Sequence, residues 1–226
     1  MPQLGPFAPD PGHPLAAVAR LAGRAVSLVA LDVSHAQALW EAAQGADESW
    51  AYLRYGPFAN FEAFAAHVAG QIGDRDQRFF AVIPAGAKAC GWVAYCNMEP
   101  HNRALEIGNV WFAPALQRSR AGTEAVFLLL DHAYAQGFNR IAWRCNALNK
   151  ASRAAAQRYG FSYEGTWRQA QIVKGRWRDT CWFSQLGRDW PANRALFIRW
   201  LDDANFDAQG RQYAPLRVSS VPVEVR

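Results

Sequence analysis

Cysteine is scarce in this chain and shows no paired spacing. Its four cysteines, Cys90, Cys96, Cys145 and Cys181, do not fall at metal-ligand intervals. No metal site and no disulfide framework is therefore expected. Each lies in a strand-like apolar context and reads as a reduced, packed thiol, which points to a cytoplasmic compartment. Long apolar runs are missing as well. The longest, Ala125–Leu130, has six residues, against the roughly 20 that a membrane helix needs. The first 19 residues contain no Lys or Arg, so no secretory leader is expected. No glycine-rich loop closes in Gly-Lys-Ser or Gly-Lys-Thr, and no dinucleotide glycine fingerprint occurs. No internal repeat is visible.

What is present is core material. Of 226 residues, 51% are apolar and 13% aromatic, with 10 tryptophans. A chain of this size buries about 70% of its unfolded surface, so one large domain holds itself together without staples. The net charge is +5 and it is unevenly placed: residues 114–190 hold 12 Lys/Arg against 5 Asp/Glu, the remainder 12 against 14. A positive field confined to one third of the chain favours an anionic ligand.

Periodicity and capping residues set the element order. Residues 1–23, with five prolines, read as an N-terminal arm with little structure of its own. Arg24–Leu31 reads as a strand. Ser34 is the expected cap of a helix to about Gln44, with Leu39 and Trp40 inward. An aromatic loop follows, Glu48–Phe58. Asn60 caps a helix to about Ile72 through Phe61, Phe64 and Val68. Phe58 and Phe61 are expected in the core. Arg78–Ile83, Ala89–Met98 and Leu105–Phe112 read as strands, the last stopped by Pro114. Thr123–Gln136 is an apolar helix ended by Gly137, and Arg140–Cys145 a short strand. Asn149 caps a helix ending at Tyr159-Gly160. Phe161–Gln169 and Arg178–Leu186 pair across a turn at Lys174-Gly175-Arg176, and a last helix covers about Ala192–Leu201. Alternating strands and helices in the second half, after an antiparallel run in the first, give an α/β class with a mixed α+β sheet.

Two segments carry chemistry. The loop Gln117-Arg118-Ser119-Arg120-Ala121-Gly122 leaves a strand and opens a helix at Thr123-Glu124. Small residues let backbone N–H groups approach a ligand, and the helix N-terminus and two arginines add positive charge. That is the physical design of a pyrophosphate cradle. The second is Asn149-Lys150-Ala151-Ser152, with Asn149 as N-cap, followed by Tyr159-Gly160-Phe161.

In this order the segments resemble the GNAT superfamily of acyl-CoA-dependent N-acetyltransferases, RimJ/RimL-like branch, over residues 24–187. The resemblance rests on Glu106-Ile107-Gly108 leading the strand toward Pro114, on the loop Gln117 to Gly122, on the Asn149…Ser152 pair, and on Gly160-Phe161 with Glu164-Gly165 beyond. It implies a central mixed sheet with helices on both faces and a splayed parallel pair, Leu105–Phe112 beside Ile141–Cys145. Residues 188–226 are then a C-terminal extension packed on the same domain. It implies acetyl-CoA as co-substrate, with no metal. The pantetheine arm lies against the amides of Val110, Trp111 and Phe112, the pyrophosphate against residues 117–124, and Asn149 and Ser152 near the pantetheine and thioester.

The pattern is not complete. Arg120 replaces the first loop glycine, where it either adds a charge contact to a phosphate or blocks the site. Ala156 stands where many members carry a tyrosine acid, which passes that role to Ser152 or water. Glu106, at the start of the splayed strand, is the candidate base that takes the ammonium proton directly or through water. Trp50, Tyr52 and Tyr55 are expected to wall the acceptor pocket, since an ammonium rests well on aromatic faces. The acceptor is then a small-molecule amine or a peptide N-terminus, with surface left for a homodimer. Two other readings stay open: a nucleic-acid-binding module, for which Trp167-Arg168 and Lys174–Arg178 could stack and neutralise, and an acyl-CoA sensor without turnover. Because the cofactor loop already accounts for the charge, nucleic acid and membrane are not the expected partners.

Overall fold

The computed structural model describes Phe7 and residues 12–218. The rest of the expected arm and of the expected C-terminal extension lies outside the described residues. One eight-stranded sheet organises the chain, in the order β1-β2-β3-β4-β5-β6-β8-β7. Its strands are β1 (Arg20–Ala22), β2 (Val26–Ala30), β3 (Arg78–Pro84), β4 (Gly91–Glu99), β5 (Ala104–Phe112), β6 (Arg140–Asn146), β7 (Ser162–Val173) and β8 (Arg176–Leu186). Every neighbouring pair is antiparallel except β5–β6. The helices are α1 (Ala36–Ala43), α2 (Phe61–Gly73), α3 (Arg120–Ala135), α4 (Lys150–Arg158) and α5 (Trp190–Trp200).

Strand alternation distributes the core over both sheet faces. Phe79, Ala81, Trp92, Ala94 and Cys96 point to one face and meet Leu39 of α1 and Phe64 and Val68 of α2. Phe80, Val82, Val93 and Tyr95 point to the other and meet Val126, Leu129 and Leu130 of α3, Ala156 of α4 and Phe197 of α5. This is the mixed α/β sheet that the element order implies, covered on both faces as the family resemblance implies.

Several boundaries differ from the sequence reading, each for a local reason. The expected arm contributes β1, paired Arg20↔Val29 to Ala22↔Ser27, and buries Leu15. β2 has an open edge there, and three residues suffice to fill it. The first helical turn is capped by Asp32, whose carboxylate accepts the Ser34 N–H, while His35 accepts the Asp32 N–H. Asp32 thus does the capping assigned to Ser34. α3 starts at Arg120, three residues before the expected Thr123, because the Ser119 hydroxyl accepts the Gly122 N–H and caps it there. β7 and β8 extend to Val173 and Arg176, so their hairpin is longer than expected, and Lys174 at its turn donates to the Trp50 carbonyl. Trp190, Phe197 and Trp200 of α5 are buried beside Phe127, Tyr134 and Tyr159.

Candidate active site

β5 and β6 pair at three positions only, Ala104↔Arg140, Leu105↔Ile141 and Glu106↔Ala142. Past them β6 stays with β8 as far as Asn146↔Thr180. β5 stays with β4, through a register shift between Ala94↔Gly108 and Trp92↔Trp111 in which Asn109 takes φ 47°. The two parallel strands therefore splay, and the facing edge of β5 beyond Glu106 leaves its backbone polar groups without a ladder partner. A cleft of about 670 Å³ opens into the gap. Gly108, Asn109 and Val110 line one side, Trp143, Arg144, Cys145 and Asn146 the other, with Asn149 and Ser152 also lining it.

Glu106 stands where the pairing ends and is 6% exposed. Arg144 contacts its Oε2 at 2.5 Å, and the Asn97 side-chain amide donates to the same oxygen at 2.7 Å. Oε1 lies beside Gly108, where an added Cβ would come within 2.9 Å of it. The carboxylate is thus held through one oxygen, and the other lies beside Gly108, itself part of the cleft lining.

Asn149 accepts the Ser152 N–H through its side-chain oxygen at 3.0 Å and so caps α4. The Trp143 indole donates to the Ser152 hydroxyl oxygen at 3.0 Å. That bond occupies an acceptor lone pair, and the hydroxyl hydrogen remains to be donated. Burial pushes the Cys145 thiol up to about 11, partly offset by the Ser152 hydroxyl. Cys96 is pushed up to about 12, by burial and then by the Glu106 charge. Neither cleft thiol is a thiolate nucleophile at neutral pH.

The loop 117–124 departs from its expected role in its side chains. Arg120 turns away from a cofactor cradle: its guanidinium donates to the Leu201 carbonyl and to Asp203 at 2.6 Å, and lies 4.4 Å from the Phe206 ring centroid. It therefore neither blocks a phosphate nor salt-bridges to one; the C-terminal segment after α5 holds it. Glu124 is buried and accepts the N–H groups of Arg24 and Ala25 at 2.9 and 2.6 Å. Thr123 is buried, donates to the Ser119 carbonyl and accepts from Arg158. Gln117 donates to the Phe112 carbonyl. Side-chain cofactor roles for Arg120, Thr123 and Glu124 are thus replaced by structural ones.

The backbone still suits an anion. The N–H groups of Arg120 and Ala121 open α3 and have no acceptor among the described residues, as the first turn of a helix dictates. Arg118 has φ 56°. At Gly122 a Cβ would lie 2.7 Å from the Leu116 carbonyl, so glycine is what lets the loop fold back onto its helix. A phosphate fits these donors by the helix-terminus geometry alone.

The aromatic loop divides. Trp50 is fully buried, stacked on Trp111 at 4.4 Å and 12°, and Tyr55 accepts from the Trp92 indole at 3.2 Å, its phenol pushed upward by burial. Both are core, which corrects their assignment to the acceptor wall: the sheet's Trp92 and Trp111 claim them first. Tyr52 does line the cleft and donates to the Leu148 carbonyl at 3.2 Å. Val110 also lines it, whereas Trp111 and Phe112 are not part of the lining; the Trp111 side chain is buried and donates to Ser49.

Sequence reasoning missed Arg144, Asn97, Arg178 and Thr180, all in the cleft lining. A signal existed for Arg144. In β6 the buried Ile141, Trp143 and Cys145 alternate with Arg140, Ala142, Arg144 and Asn146, so a charged residue faces the side of the sheet opposite the core cluster.

Comparison with known proteins places this geometry. Residues 26–162 match the family described as acetyltransferase (GNAT) domain. The Bacillus subtilis protein YdaF, named as a candidate ribosomal N-acetyltransferase, is 32% identical over 106 residues; the stretch covers 46% of this chain and 57% of that protein, little more than half its length. A GCN5-related N-acetyltransferase from Brucella melitensis superposes with TM-score 0.88 at 36% identity, over 91% of this chain and 96% of that one. A probable GNAT-family acetyltransferase from Chromobacterium violaceum gives 0.77 at 41% identity, over 84% and 100%.

Proposed function

The chain belongs to the GNAT acetyltransferase family, and on that premise we propose that it moves an acetyl group from acetyl-CoA to a primary amine by direct attack within a ternary complex. The observation that carries the reading is the splay of β5 from β6 into a cleft that gathers Glu106, Asn149 and Ser152. The wedge is the place for an extended pantetheine arm against the unpaired β5 edge. The N-terminus of α3 is the place for its pyrophosphate. Acetyl-CoA supplies an activated thioester, and the rest is the work of this chain's residues.

Glu106 Oε1 receives the proton of the arriving ammonium, directly or by way of one water. Arg144 and Asn97 hold the other oxygen, so the carboxylate cannot rotate away. Unpaired N–H groups on the β5 edge are donors for the charge that develops on the carbonyl oxygen. The Ser152 hydroxyl, its oxygen engaged by Trp143, donates to the departing sulfur. Protonated Cys96 and Cys145 do not compete as nucleophiles, which favours direct transfer over an acyl-enzyme. Tyr52 is the aromatic face left to meet the acceptor amine.

The acceptor is a small amine or a protein N-terminus, and the name borne by YdaF supports the second. The test combines two measurements on the intact chain. Acetyl-CoA raises the melting temperature at millimolar concentration, and a panel of peptides and small amines releases free CoA thiol. No melting shift overturns the reading; a shift without thiol release from any amine leaves an acyl-CoA sensor in its place.

A further inference from the structure

On the cleft-facing side of β8 a group of polar atoms stands without partners. Arg178, Thr180 and Trp182 alternate along that strand, opposite Cys181 and Phe183 of the core. Among the described residues, buried atoms on all three, Arg178 Nε, Thr180 Oγ1 and Trp182 Nε1, have no hydrogen-bond partner, and neither does Oε1 of Gln171, which pairs with Arg178 across the β7–β8 hairpin. Thr180 is 4% exposed and lines the cleft with Arg178 and Gln171. A buried polar atom left unmatched costs stability, so such a group calls for a ligand.

The charge balance says which ligand. The cleft carries Arg54, Arg75, Arg144 and Arg178 against Asp76, Glu99 and Glu106, and Arg144 already holds Glu106. Arg178 and Arg54 make no ion pair among the described residues. Burial first, and the like charge of Arg54 next, work against the protonated Arg178 guanidinium. Of the orphan atoms on cleft-lining residues, Arg178 Nε is a donor and Thr180 Oγ1 can be one. Donors and surplus positive charge, side by side in a half-buried site, suit an oxyanion.

We propose that Arg178 and Thr180, with Arg54 beside them, form a subsite for a carboxylate or phosphate carried by the acceptor close to its amine. The inference rests on the proposed acetyl transfer only in naming that ligand the acceptor; the anion subsite itself stands on the geometry. It makes the enzyme selective for amines that carry a negative charge.

The test is direct binding, measured by calorimetry on the intact chain, with matched probes: an amino acid against its amide, an aminoalkyl phosphate against its alcohol, and short peptides with Asp against Asn at the second position. The anionic member of at least one pair binds about tenfold tighter, the preference falls with added salt, and Arg178→Gln abolishes it. Whichever pair shows the preference identifies the source of the anion. Thr180→Val, nearly isosteric, weakens the same probe several-fold and serves if Arg178→Gln does not fold. Equal binding within every pair overturns the inference, as does a loss confined to acetyl-CoA affinity in either variant. Charge-selective binding without CoA release overturns the transfer reading and leaves the subsite standing. Charge-blind acetylation does the reverse.

Discussion

Arg144 of β6 reaches Glu106 of β5 at 2.5 Å, two residues past Ala142, which is the Glu106 partner in the last pair that joins those strands. The ion pair takes over where the backbone ladder stops. It bridges the mouth of the wedge and aims the carboxylate, which makes Glu106 both a local brace and the candidate base.

Glu106→Gln keeps the size and the hydrogen bond to Asn97 but removes basicity. The acetylation rate with a good amine falls about 10²–10⁴-fold at pH 7. The deficit shrinks as pH rises toward the amine pKa, because the acceptor then arrives neutral. A rate–pH profile of both proteins reads this out. A loss below threefold at every pH assigns Glu106 to bracing alone.

Ser152→Ala removes the donor to the leaving sulfur and leaves the helix cap, which uses the Ser152 backbone. The turnover number drops about tenfold or more, while acetyl-CoA affinity and melting temperature stay near wild type. Steady-state kinetics together with a thermal melt separate the two. An unchanged turnover number assigns the leaving-group proton to water.

Glu124→Gln distinguishes a structural carboxylate from a cofactor ligand. Its oxygens accept the Arg24 and Ala25 N–H groups, and an amide offers only one acceptor oxygen for two donors. Unfolding in urea loses about 1–3 kcal/mol, and acetyl-CoA affinity does not change. A variant of normal stability with weakened acetyl-CoA binding would reverse this assignment.

Glu164 and Arg140 form a two-pronged pair at 2.7 and 2.5 Å that ties β7 to β6 across β8. The Arg140 hydrogen bond, despite some burial, lowers the Glu164 pKa. A carboxylate whose folded pKa lies below its unfolded value stabilises above the unfolded value, and that gain disappears as pH falls through the folded one. Wild type therefore exceeds Glu164→Gln in urea midpoint at pH 7. The pair is partly exposed, so the difference is about 1 kcal/mol or less. It begins to shrink below the ordinary Glu value of about 4.3 and closes only as pH falls through the lowered folded value, where Glu164 is protonated in both states. A gap that does not narrow as pH falls through the acid range contradicts the ion-pair origin.

The order of strands and helices was legible because it depends on short-range rules. Alternation placed Phe79 and Ala81 on one face and Phe80 and Val82 on the other. Asn60 and Asn149 cap within their own first turns, and Gly137 and Gly160 exit with positive φ. Those signals lie within a few residues of what they specify. The residues around the cleft were legible in outline because its loop and cap sit at such boundaries: Asn149, Ser152 and Val110, singled out from the sequence, line it.

The long side chains were decided elsewhere. Arg120 reads in sequence as a phosphate contact, yet Asp203 and the Leu201 carbonyl, more than 80 residues away, take it. Glu124 reaches a backbone turn 100 residues earlier. Trp50 looks like a pocket wall until Trp111 lies beneath it. A flexible or aromatic side chain goes to whichever buried partner lies within its reach. That partner is set by strand register and by the splay of β5 from β6, which pattern along the chain does not encode. The chain's own periodicity determined a mixed sheet of strands and helices with an anion-ready loop. Tertiary register alone decided that Glu106 would meet Arg144, that Arg120 would leave the cradle, and that Arg178 would face the cleft unpaired.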